Sequence, residues 1–507
     1  MSNRPDPSSS PNGNNLVARR VELDTHDQLV AITRRDSPVC RSEGFSAHAR
    51  VRLQSGERRI IATLYQIDSD LLGLDEIALS ESAWQRLQID EGDLVHLAHP
   101  QPIDSLGLVR GRIYGNRLGR EEMHRIIADI GAGRYADVHL AMFLTAMATQ
   151  APDDDELINL TEAMVNAGDR LRWNRDIIAD KHCVGGLPGN RTTPLVVAMV
   201  TACGLWMPKT SSRAITSPAG TADTMETLAP VDLDLDRMRQ VVEKEGGCVA
   251  WGGAVRLSPV DDMLIRVARL MDLDAEGQMV ASVLSKKVAA GSTHLVLDVP
   301  VGPTAKVRTP QEARELSRRL EAVAAAFGLK LRVLMTDGSE PVGRGIGPAL
   351  EARDLLQVLQ NHPDQPLDLR KRAVKLAGAL LELTATAADA KGERMAEKVL
   401  ADGSAWSKFK AICHAQGGLR EPPVAARRHQ MSATCPGEIV SVDNRRLARV
   451  AKLAGAPAAP AAGLEIHVKL GDHVDVDQPL YTIHADTAGE LNYAREFAET
   501  NGIIKIS

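Results

Sequence analysis

Residues 180–226 contain two polar, glycine-bearing loops, and this stretch decides how the centre of the chain folds. The first loop reads DKHCVGGLPGNRTTP (180–194) and the second reads KTSSRAITSPAGTADTME (209–226), with an apolar run at 195–207 between them. Glycine exposes backbone N–H groups, and the hydroxyl and ammonium groups beside it add donors and positive charge. Because an oxyanion needs these groups, the two loops predict a site for phosphate or a phosphorylated sugar.

Strand and helix signals alternate around the two loops, which indicates an α/β domain. Strands are predicted at HLVLDVPV (294–301) and LKLRVLMTD (329–337). Thr193 before Pro194 predicts a helix N-cap followed by a first-turn proline, and TPQE at 309–312 predicts a capping box. The helix that begins near Pro194 would direct its free N–H groups toward the first loop, which is a common geometry for binding phosphate.

The chain is long enough for several domains. Its 507 residues are 44% hydrophobic and 25% charged, as expected of a globular protein with ample core. Changes of pattern predict a multidomain α/β fold made of a disordered tail at 1–15, an N-terminal β-barrel domain at 16–100, a helical subdomain at 101–176, an α/β phosphate- and substrate-binding domain at 177–420, and a C-terminal α+β domain at 421–507. Residues 260–290 are expected to pack on the helical subdomain.

Both terminal β-domains resemble known modules. LQIDEGDLVHL (87–97) resembles part of a double-psi barrel. GLEIHVKLGDHVDVDQPLYTIHAD (463–486) resembles the β-hammerhead of biotinyl and lipoyl carriers, whose function requires a modifiable lysine at a hairpin tip. No such lysine follows here, so this stretch predicts a structural domain with hammerhead-like strands.

Composition excludes several functional classes. The net charge of −6 and an aromatic content of 3% argue against a surface for nucleic acid. Six scattered cysteines without a CxxC pair fit a reducing cytoplasm, and the 14 histidines show no metal-ligand spacing. The longest apolar run is too short to cross a membrane, and the N-terminus has no secretory signal. We therefore predict a cytoplasmic protein without a metal and without a membrane or nucleic-acid partner.

Both loops resemble a known enzyme family. SSRAITSPAGTADTME (211–226) resembles the signature of thymidine and pyrimidine-nucleoside phosphorylases, and KHCVGGLPGN (181–190) resembles their phosphate loop. Pro218 and Ala219 stand where the shorter pyrimidine branch has Thr-Gly, so the chain is most similar to the longer branch of AMP phosphorylases and type 2 thymidine phosphorylases. That branch also has an extra N-terminal β-domain, which matches residues 16–99.

This resemblance implies reversible phosphorolysis of an N-glycosidic bond, with thymidine giving thymine and 2-deoxy-D-ribose 1-phosphate. Inorganic phosphate is the co-substrate, and no cofactor is implied. The family's catalytic positions fall on two residues: Asp274 as proton donor and His182 as a hydrogen-bonding partner of the base or phosphate. The phosphate-binding positions fall on Lys181, Cys183, Gly186, Thr193, Ser211 and Thr221. The substrate-binding positions fall on Ser212, Arg213, Ala214, Ile215, Thr216, Ser217, Ser282 and Lys306.

Several of these roles carry a physical condition. Asp274 acts as an acid only if burial or a neighbouring carboxylate raises its pKa. Cys183 replaces the usual Ser, and beside Lys181 and a helix N-terminus we expect a lowered thiol pKa and sensitivity to alkylation. Arg213 has a structural alternative as an ion-pair partner. Lys286 and Lys287 are further candidates for contact with the base.

Three other functions remain open. A nucleoside 5′-monophosphate phosphorylase, with AMP as the natural candidate, would give ribose 1,5-bisphosphate. It would need a second cationic pocket, for which the candidates are Arg110, Arg112, Arg117 and Lys209. A phosphoribosyltransferase of the anthranilate type would need magnesium and a GTGGD-like loop, whereas this chain has KHCVGG. A carrier or scaffold would need the modified lysine that is missing from the hammerhead-like stretch. The family further implies a homodimer or higher homo-oligomer, with the active site between the helical and α/β parts.

Overall fold

The chain folds into two compact units whose boundary falls between Ala146 and Met147. The computed structural model describes residues 14–25, 28–187, 189, 191–214, 217–271, 273 and 276–507. Most of the tail predicted at 1–15 lies outside this description. Asn15 already begins the first strand.

Six strands of the first unit close into a barrel. They are β1 Asn15–Leu23, β2 Val30–Arg34, β3 Arg50–Ser55, β4 Arg58–Ile67, β5 Glu76–Ser80 and β6 Leu94–Ala98. Around the barrel their order is β1-β5-β2-β4-β3-β6. Side chains alternate across each strand, so that Val51 and Leu53 of β3 are fully buried whereas Arg50 and Arg52 are partly exposed. This alternation fills the barrel with apolar side chains, as the strand pattern of the sequence predicts.

The helices that begin in this unit are α1 Pro38–Glu43, α2 Glu81–Leu87, α3 Ser105–Ile113, α4 Arg120–Gly131 and α5 Asp137–Thr149. The clearest amphipathic pattern is that of α4. Its buried residues Met123, Ile126, Ile127 and Ile130 recur at the spacing of one helix face.

Five parallel strands organise the second unit. They are β7 Ala179–Cys183, β8 Met207–Ser211, β9 Gly247–Trp251, β10 His294–Val301 and β11 Lys330–Asp337. One sheet has the order β11-β10-β7, β8 pairs with β9, and a parallel bridge from Ile178 to Trp206 joins the two groups. Seven of the eight residues of β10 are buried, as expected of a strand covered on both faces. The predicted strands at 294–301 and 329–337 are confirmed.

Helices surround these strands. They are α6 Asp154–Asn166, α7 Thr192–Ala202, α8 Thr221–Glu226, α9 Leu235–Glu245, α10 Pro259–Leu270, α11 Glu276–Ala289, α12 Pro310–Ala326, α13 Pro348–Leu359, α14 Leu367–Leu383, α15 Gly392–Ala401 and α16 Ser404–Gln416, with a 3-10 turn at Gly252–Val255. The apolar run at 195–207 supplies most of α7, which is buried from Thr192 to Thr201 and lies in an extensive apolar core. The start of α7 is therefore held rigidly.

The C-terminal domain, defined here as residues 427–507, contains most of the remaining strands. The elements are β12 Gly345–Ile346, β13 Arg427–Ser432, β14 Gly437–Val442, α17 Asn444–Leu453, β15 Gly463–Ile466, β16 His473–Val474, β17 Pro479–Ala485, α18 Ala488–Thr500 and β18 Ile504–Ile506. One sheet has the order β12-β15-β17-β13 and the other β16-β14-β18. The short strand β12 comes from the α/β part and completes the first of these sheets.

Across the described residues, no helix combines the length and the apolar character needed to cross a membrane.

Candidate active site

The two loops leave the sheet at neighbouring strand ends. The strand β7 ends at Cys183 and β8 ends at Ser211, and the parallel bridge between Ile178 and Trp206 places the two strands side by side. In open parallel sheets, ligands bind outside the carboxyl ends of the strands. Both loops therefore begin at the edge of the sheet where a ligand is expected.

Lys181 supplies a buried ammonium group below the first loop. Its side chain is fully buried, and Nζ donates hydrogen bonds to Thr192 Oγ1 (2.7 Å) and Thr193 Oγ1 (3.3 Å) at the start of α7. Burial lowers the pKa of Lys181, and the carboxylate of Asp298 partly offsets this effect. The ammonium thus lies against the helix terminus that the sequence predicts to face phosphate.

The predicted N-cap at Thr193 is wrong. The helix α7 begins at Thr192, and Arg191 is the flanking residue, without a side-chain cap. Thr192 Oγ1 donates to Gly189 O (2.6 Å), and the hydroxyl of Thr193 accepts a hydrogen bond from Lys181. Both threonines therefore lie inside the helix, and their hydroxyls accept hydrogen bonds from the buried ammonium of Lys181.

Two glycines of the first loop have a positive φ, which glycine adopts more readily than other residues. Gly185 and Gly186 have φ angles of +84° and +87°. A Cβ on Gly186 would lie 2.7 Å from Lys306 N, so a larger residue cannot fit there. This contact brings Lys306, which follows β10, against the first loop. Leu187 also has a positive φ of +86°, which is uncommon for a residue with a side chain.

The expected lowering of the Cys183 pKa is wrong. Burial and the nearby carboxylate of Asp298 raise the pKa of this thiol to about 12, although Lys181 acts in the opposite direction. Cys183 is also buried, so reagents have little access to it. The thiolate is the reactive form of cysteine. The structure therefore does not support the expected sensitivity to alkylation.

His182 is neutral in this setting. The residue is half-buried on β7, and burial holds its pKa well below the ordinary value, with the charges of Lys287 and Lys209 adding to the effect. A neutral imidazole has one donor and one acceptor nitrogen. His182 can therefore hydrogen-bond a base or a phosphate without carrying charge.

Asp180 is the centre of a buried ion cluster that the sequence did not reveal. Its Oδ1 lies 3.3 Å from Lys209 Nζ, and its Oδ2 lies 3.0 Å from Lys287 Nζ. Ser292 Oγ donates a third contact at 3.0 Å. Burial opposes ionisation of the carboxyl group, but Lys209 and Lys287 lower the pKa of Asp180. Both lysines are committed to this internal pair, which argues against Lys209 in a second phosphate pocket.

Ser211 presents a hydroxyl group that a ligand could satisfy. The side chain is 8% exposed at the end of β8. No group in the described part of the chain forms a hydrogen bond with its Oγ. A buried hydroxyl without a partner is unfavourable, and a ligand oxygen at the strand end would satisfy it. Ser211 is therefore available for the predicted phosphate contact, which stays a prediction.

Arg213 is held by acidic side chains. Its guanidinium pairs with both carboxylate oxygens of Glu226, and it lies 3.4 Å from Asp232 Oδ1. The guanidinium carbon also lies 4.8 Å from the centre of the Trp251 ring. These contacts favour the structural alternative for Arg213.

A single carboxylate closes the second loop. Asp223 Oδ2 accepts hydrogen bonds from the backbone nitrogens of Ala214 (2.6 Å) and Gly220 (2.8 Å). Ala214 thus contributes its backbone to the turn, and the loop is fixed at both ends by the first turn of α8. The backbone of Gly220 also lies against Ser212 O, where a Cβ would be 2.6 Å away.

The other site residues predicted in the second loop differ in their exposure and hydrogen bonding. Ser212 is exposed, and Ser217 Oγ donates to a backbone carbonyl two residues further on (2.9 Å). Thr221 is the first residue of α8. Ile215 and Thr216 lie outside the described residues. Their predicted substrate contacts stay predictions.

Asp261 organises the residues predicted to face the base. Ser282 Oγ donates to Asp261 Oδ2 (2.8 Å), and Lys286 Nζ lies 2.7 Å from the same oxygen. Burial opposes the charge of Lys286, but Asp261 and Asp262 raise its pKa. Ser282 and Lys286 therefore share one buried carboxylate that the sequence did not single out.

The helix α11 brings this group close to the first loop. Lys287, the residue after Lys286, forms the ion pair with Asp180, and the charge of Lys286 contributes to the lowered pKa of His182. Asp274 lies outside the described residues. Its predicted role as proton donor stays a prediction.

Glu351 on α13 joins the two loops. Its Oε1 lies 3.4 Å from Arg191 Nη2 at the end of the first loop, and its Oε2 accepts a hydrogen bond from Thr224 Oγ1 (3.2 Å) on α8. Asp354 pairs with the same arginine at 3.3 Å. All three charged side chains are buried. These contacts connect both loops to the helix α13.

The carboxyl group of Glu351 should make the stability of the protein depend on pH. Burial raises the pKa of Glu351 from 4.5 to about 7, with Arg191 acting in the opposite direction. The folded protein then binds this proton more tightly than the unfolded chain, so the stabilisation is complete below pH 4.5 and is lost as the pH rises through 7. Between pH 4.5 and 7.5 the wild type should lose up to about 3 kcal/mol of its free energy of unfolding through this group, and Glu351→Gln should abolish that loss. The urea midpoints of the wild type and of Glu351→Gln, measured across this pH range, test this prediction. If the two midpoints change with pH in parallel, the prediction is wrong.

Within the described part of the chain, no group of three His, Cys, Asp or Glu side chains could hold a metal ion.

Three segments match known protein families. Residues 108–168 match "Glycosyl transferase family, helical bundle domain", and residues 175–406 match "Glycosyl transferase family, a/b domain". Residues 439–505 match "Pyrimidine nucleoside phosphorylase C-terminal domain". The order of these domains agrees with the helical, α/β and C-terminal parts described above.

Relatives of similar length share more than half of their residues with this chain. A protein of Acidovorax sp. (strain JS42) named "Putative thymidine phosphorylase 2" is 58% identical over 485 residues, which cover 96% of this chain and 94% of the relative. A protein of Chelativorans sp. (strain BNC1) named "Putative thymidine phosphorylase" is 57% identical over 497 residues, covering 98% of each chain.

Solved structures share the fold at low identity. Anthranilate phosphoribosyltransferase from Thermus thermophilus is similar with a TM-score of 0.51 and 21% identity, covering 61% of this chain and 98% of its own. The enzyme from Saccharomyces cerevisiae in complex with PRPP and Mg has the same TM-score at 13% identity, covering 62% of this chain and 98% of its own. At these identities the likeness concerns the fold alone.

Proposed function

The chain belongs to the glycosyl transferase family that includes the relatives named thymidine phosphorylase, and from this premise we propose that it catalyses the reversible phosphorolysis of thymidine. The products are thymine and 2-deoxy-D-ribose 1-phosphate. Inorganic phosphate is the co-substrate, and the reaction uses no cofactor or metal.

The observation that carries this proposal is the placement of the two loops at one edge of the sheet. They start at the ends of the adjacent strands β7 and β8, and Glu351 contacts both the end of the first loop and the helix after the second. A small oxyanion is the ligand that this arrangement of N–H, hydroxyl and ammonium groups favours.

Phosphate is held by groups from both loops. Lys181 supplies the charge and Ser211 supplies the hydroxyl that has no other described partner. Thr193 lies in the first turn of α7, which begins at Thr192, and Thr221 is the first residue of α8, so the N-terminal turns of two helices add further donors. Gly186 allows the backbone to approach the ligand, and Cys183 contributes the weaker donor of a protonated thiol.

The reaction exchanges one bond at the anomeric carbon for another. A phosphate oxygen forms a bond to C1′ as the bond from C1′ to the pyrimidine nitrogen breaks, and the bonding electron pair leaves with the base. Positive charge that develops on the sugar is stabilised by the adjacent phosphate, which Lys181 and the loops hold in place. The departing base then takes up a proton.

Base recognition belongs to the residues around α11. Ser282 and Lys286 are oriented by Asp261, and both can hydrogen-bond the polar edge of a pyrimidine. Lys306 approaches from the loop after β10, and neutral His182 orients the base or the phosphate. The resemblance assigns the proton to Asp274.

The finer features of the protein follow from the same family. We propose a cytoplasmic homodimer or higher homo-oligomer of the longer branch, with an N-terminal barrel of double-psi type and a C-terminal domain of hammerhead type. The six-stranded barrel and the two C-terminal sheets support this description.

A substrate panel tests the function. The purified protein is incubated with thymidine, uridine, AMP or CMP, with and without inorganic phosphate, and the released base and the sugar phosphate are measured. We expect thymine and 2-deoxyribose 1-phosphate only when thymidine and phosphate are both present, and we expect the activity to survive EDTA.

Each other result has a definite meaning. Ribose 1,5-bisphosphate formed from AMP would assign the chain to the monophosphate phosphorylases instead. Activity abolished by EDTA would indicate a magnesium-dependent transferase. If no nucleoside or nucleotide leads to consumption of phosphate, the proposed function is wrong.

A further inference from the structure

Leu187 has an unusual backbone conformation in the first loop. It follows two glycines of positive φ and has a φ of +86° itself. The left-handed region is disfavoured for residues with a Cβ, so surrounding contacts must hold Leu187 there. Gly185 and Gly186 adopt similar angles without that cost. The loop therefore depends on whatever holds the leucine side chain.

The side chain of Leu187 is buried in the core of the C-terminal domain. It is 4% exposed and belongs to the same apolar cluster as Ile439, Leu464 and Ile483. These three residues lie on β14, β15 and β17. A loop at the edge of the α/β sheet thus has its anchor in a separate core formed by a distant part of the chain.

Asn444 provides a second link from the same domain. It is fully buried at the first position of α17, and its Nδ2 donates to Gly338 O (2.9 Å). Its backbone nitrogen donates to Thr304 Oγ1 (3.1 Å). Thr304 lies two residues before Lys306, in the loop after β10. Asn444 therefore clamps the segment that carries Lys306.

The two links meet at one contact. The backbone of Lys306 lies so close to Gly186 that a Cβ on the glycine would be 2.7 Å from Lys306 N. The first loop is thus supported through Leu187 on one side and through the segment held by Asn444 on the other.

We propose that the C-terminal domain positions the phosphate-binding loop, with Leu187 as the anchoring residue and Asn444 as the clamp. This inference rests on the proposed function of the first loop. Leu187 and Asn444 act through other residues and not on the reacting atoms, so both are positioning residues. The domain contributes to phosphate affinity indirectly, through the packing of Leu187 and the hydrogen bonds of Asn444.

The test compares three variants of the complete chain. Leu187→Ala removes the anchor, and Leu187→Met keeps a side chain of similar volume. Leu480→Ala is the control, because Leu480 on β17 is a buried leucine of the same core but does not lie in the first loop. Steady-state kinetics give the KM for inorganic phosphate, the KM for thymidine and kcat. Calorimetric titration with inorganic phosphate measures its affinity without any turnover.

We expect Leu187→Ala to raise the KM and the Kd for phosphate by about tenfold or more, because small displacements of binding groups have large effects. The KM for thymidine should change much less. Leu187→Met should restore the phosphate KM to within about threefold. Leu480→Ala should lower the unfolding temperature but leave the phosphate KM near that of the wild type.

The clamp is tested in the same way. Asn444→Ala removes the side-chain hydrogen bond to Gly338 O, and a Cβ on Gly338 would lie only 3.1 Å from the Cβ of Ala305, the residue before Lys306. We expect kcat/KM for thymidine to fall by about tenfold, because Gly338 and the Lys306 segment packed against it lose this support. Asn501→Ala is the matched control, because the Asn501 side chain lies in the same domain and donates to Phe497 O (2.9 Å) at the end of α18.

Two results would overturn the proposal. One is an unchanged phosphate KM and Kd in Leu187→Ala, and the other is an equal increase in Leu480→Ala, which would indicate a general loss of stability. A wild-type protein that binds phosphate but converts no nucleoside would refute the proposed function and leave the calorimetric test of Leu187 valid. A wild-type protein that binds no phosphate would refute both.

Discussion

Lys181→Met lowers kcat/KM for thymidine phosphorolysis by about a hundred- to a thousandfold, according to the geometry of the first loop. The ammonium contacts the two threonine hydroxyls at the start of α7, and methionine keeps a long side chain without that charge. Burial already disfavours the charged group, so its removal should leave the fold intact. Initial rates at varied phosphate and thymidine concentrations measure the effect.

A lysine elsewhere in the same unit provides the control. Lys408 lies on α16 and pairs with Glu245 at 3.3 Å, away from the predicted site residues in sequence. Lys408→Met should retain the activity of the wild type. The unfolding temperature of each variant separates a loss of catalysis from a loss of folding. If Lys181→Met retains more than about a third of the wild-type kcat/KM, Lys181 does not hold phosphate.

Asp180→Ala destabilises the protein by about 3–5 kcal/mol, which is the second large effect we expect. The substitution leaves the amino groups of Lys209 and Lys287 buried without the carboxylate that pairs with them, although burial already lowers the pKa of Lys209. Both side chains are almost completely shielded from water, so solvent cannot replace the carboxylate. Urea unfolding of the wild type and the variant at pH 7 measures the difference.

Two further variants show whether charge is the cause. Lys209→Met in the Asp180→Ala background removes one of the unpaired charges and should restore part of the lost stability. Asp154→Ala breaks an exposed ion pair with Arg318 and should change stability little. If Asp180→Ala is as stable as the wild type, or if Lys209→Met restores nothing, the buried cluster does not act as an ion pair.

The sequence predicts the structure well where neighbouring residues determine it. Thr309 and Glu312 form the predicted capping box, with Thr309 Oγ1 accepting from Glu312 N and Glu312 Oε2 accepting from Thr309 N, each at 3.2 Å. The apolar stretch at 294–301 forms β10 over its whole length. Such signals involve residues a few positions apart, so they require no knowledge of the tertiary fold.

Contacts between distant segments could not be predicted in this way. Glu351 lies 127 positions from Thr224, and its local sequence indicates only a helix. Asp180 resembles the other polar residues of the first loop, yet the strand β7 carries it into the interior beside α11. The N-cap assigned to Thr193 failed for a related reason, since its hydroxyl meets a lysine from another element. Parallel sheets create such neighbours without a local pattern.

The two-residue strand β12 has a practical consequence for anyone preparing fragments of this protein. It lies in the α/β part of the chain but pairs with β15, where Gly463 packs directly against the backbone of Ile346. A truncation that ends before residue 427 would expose this edge, and an excised piece beginning there would lack a strand. Recombinant boundaries drawn from domain limits alone would therefore yield two incomplete products.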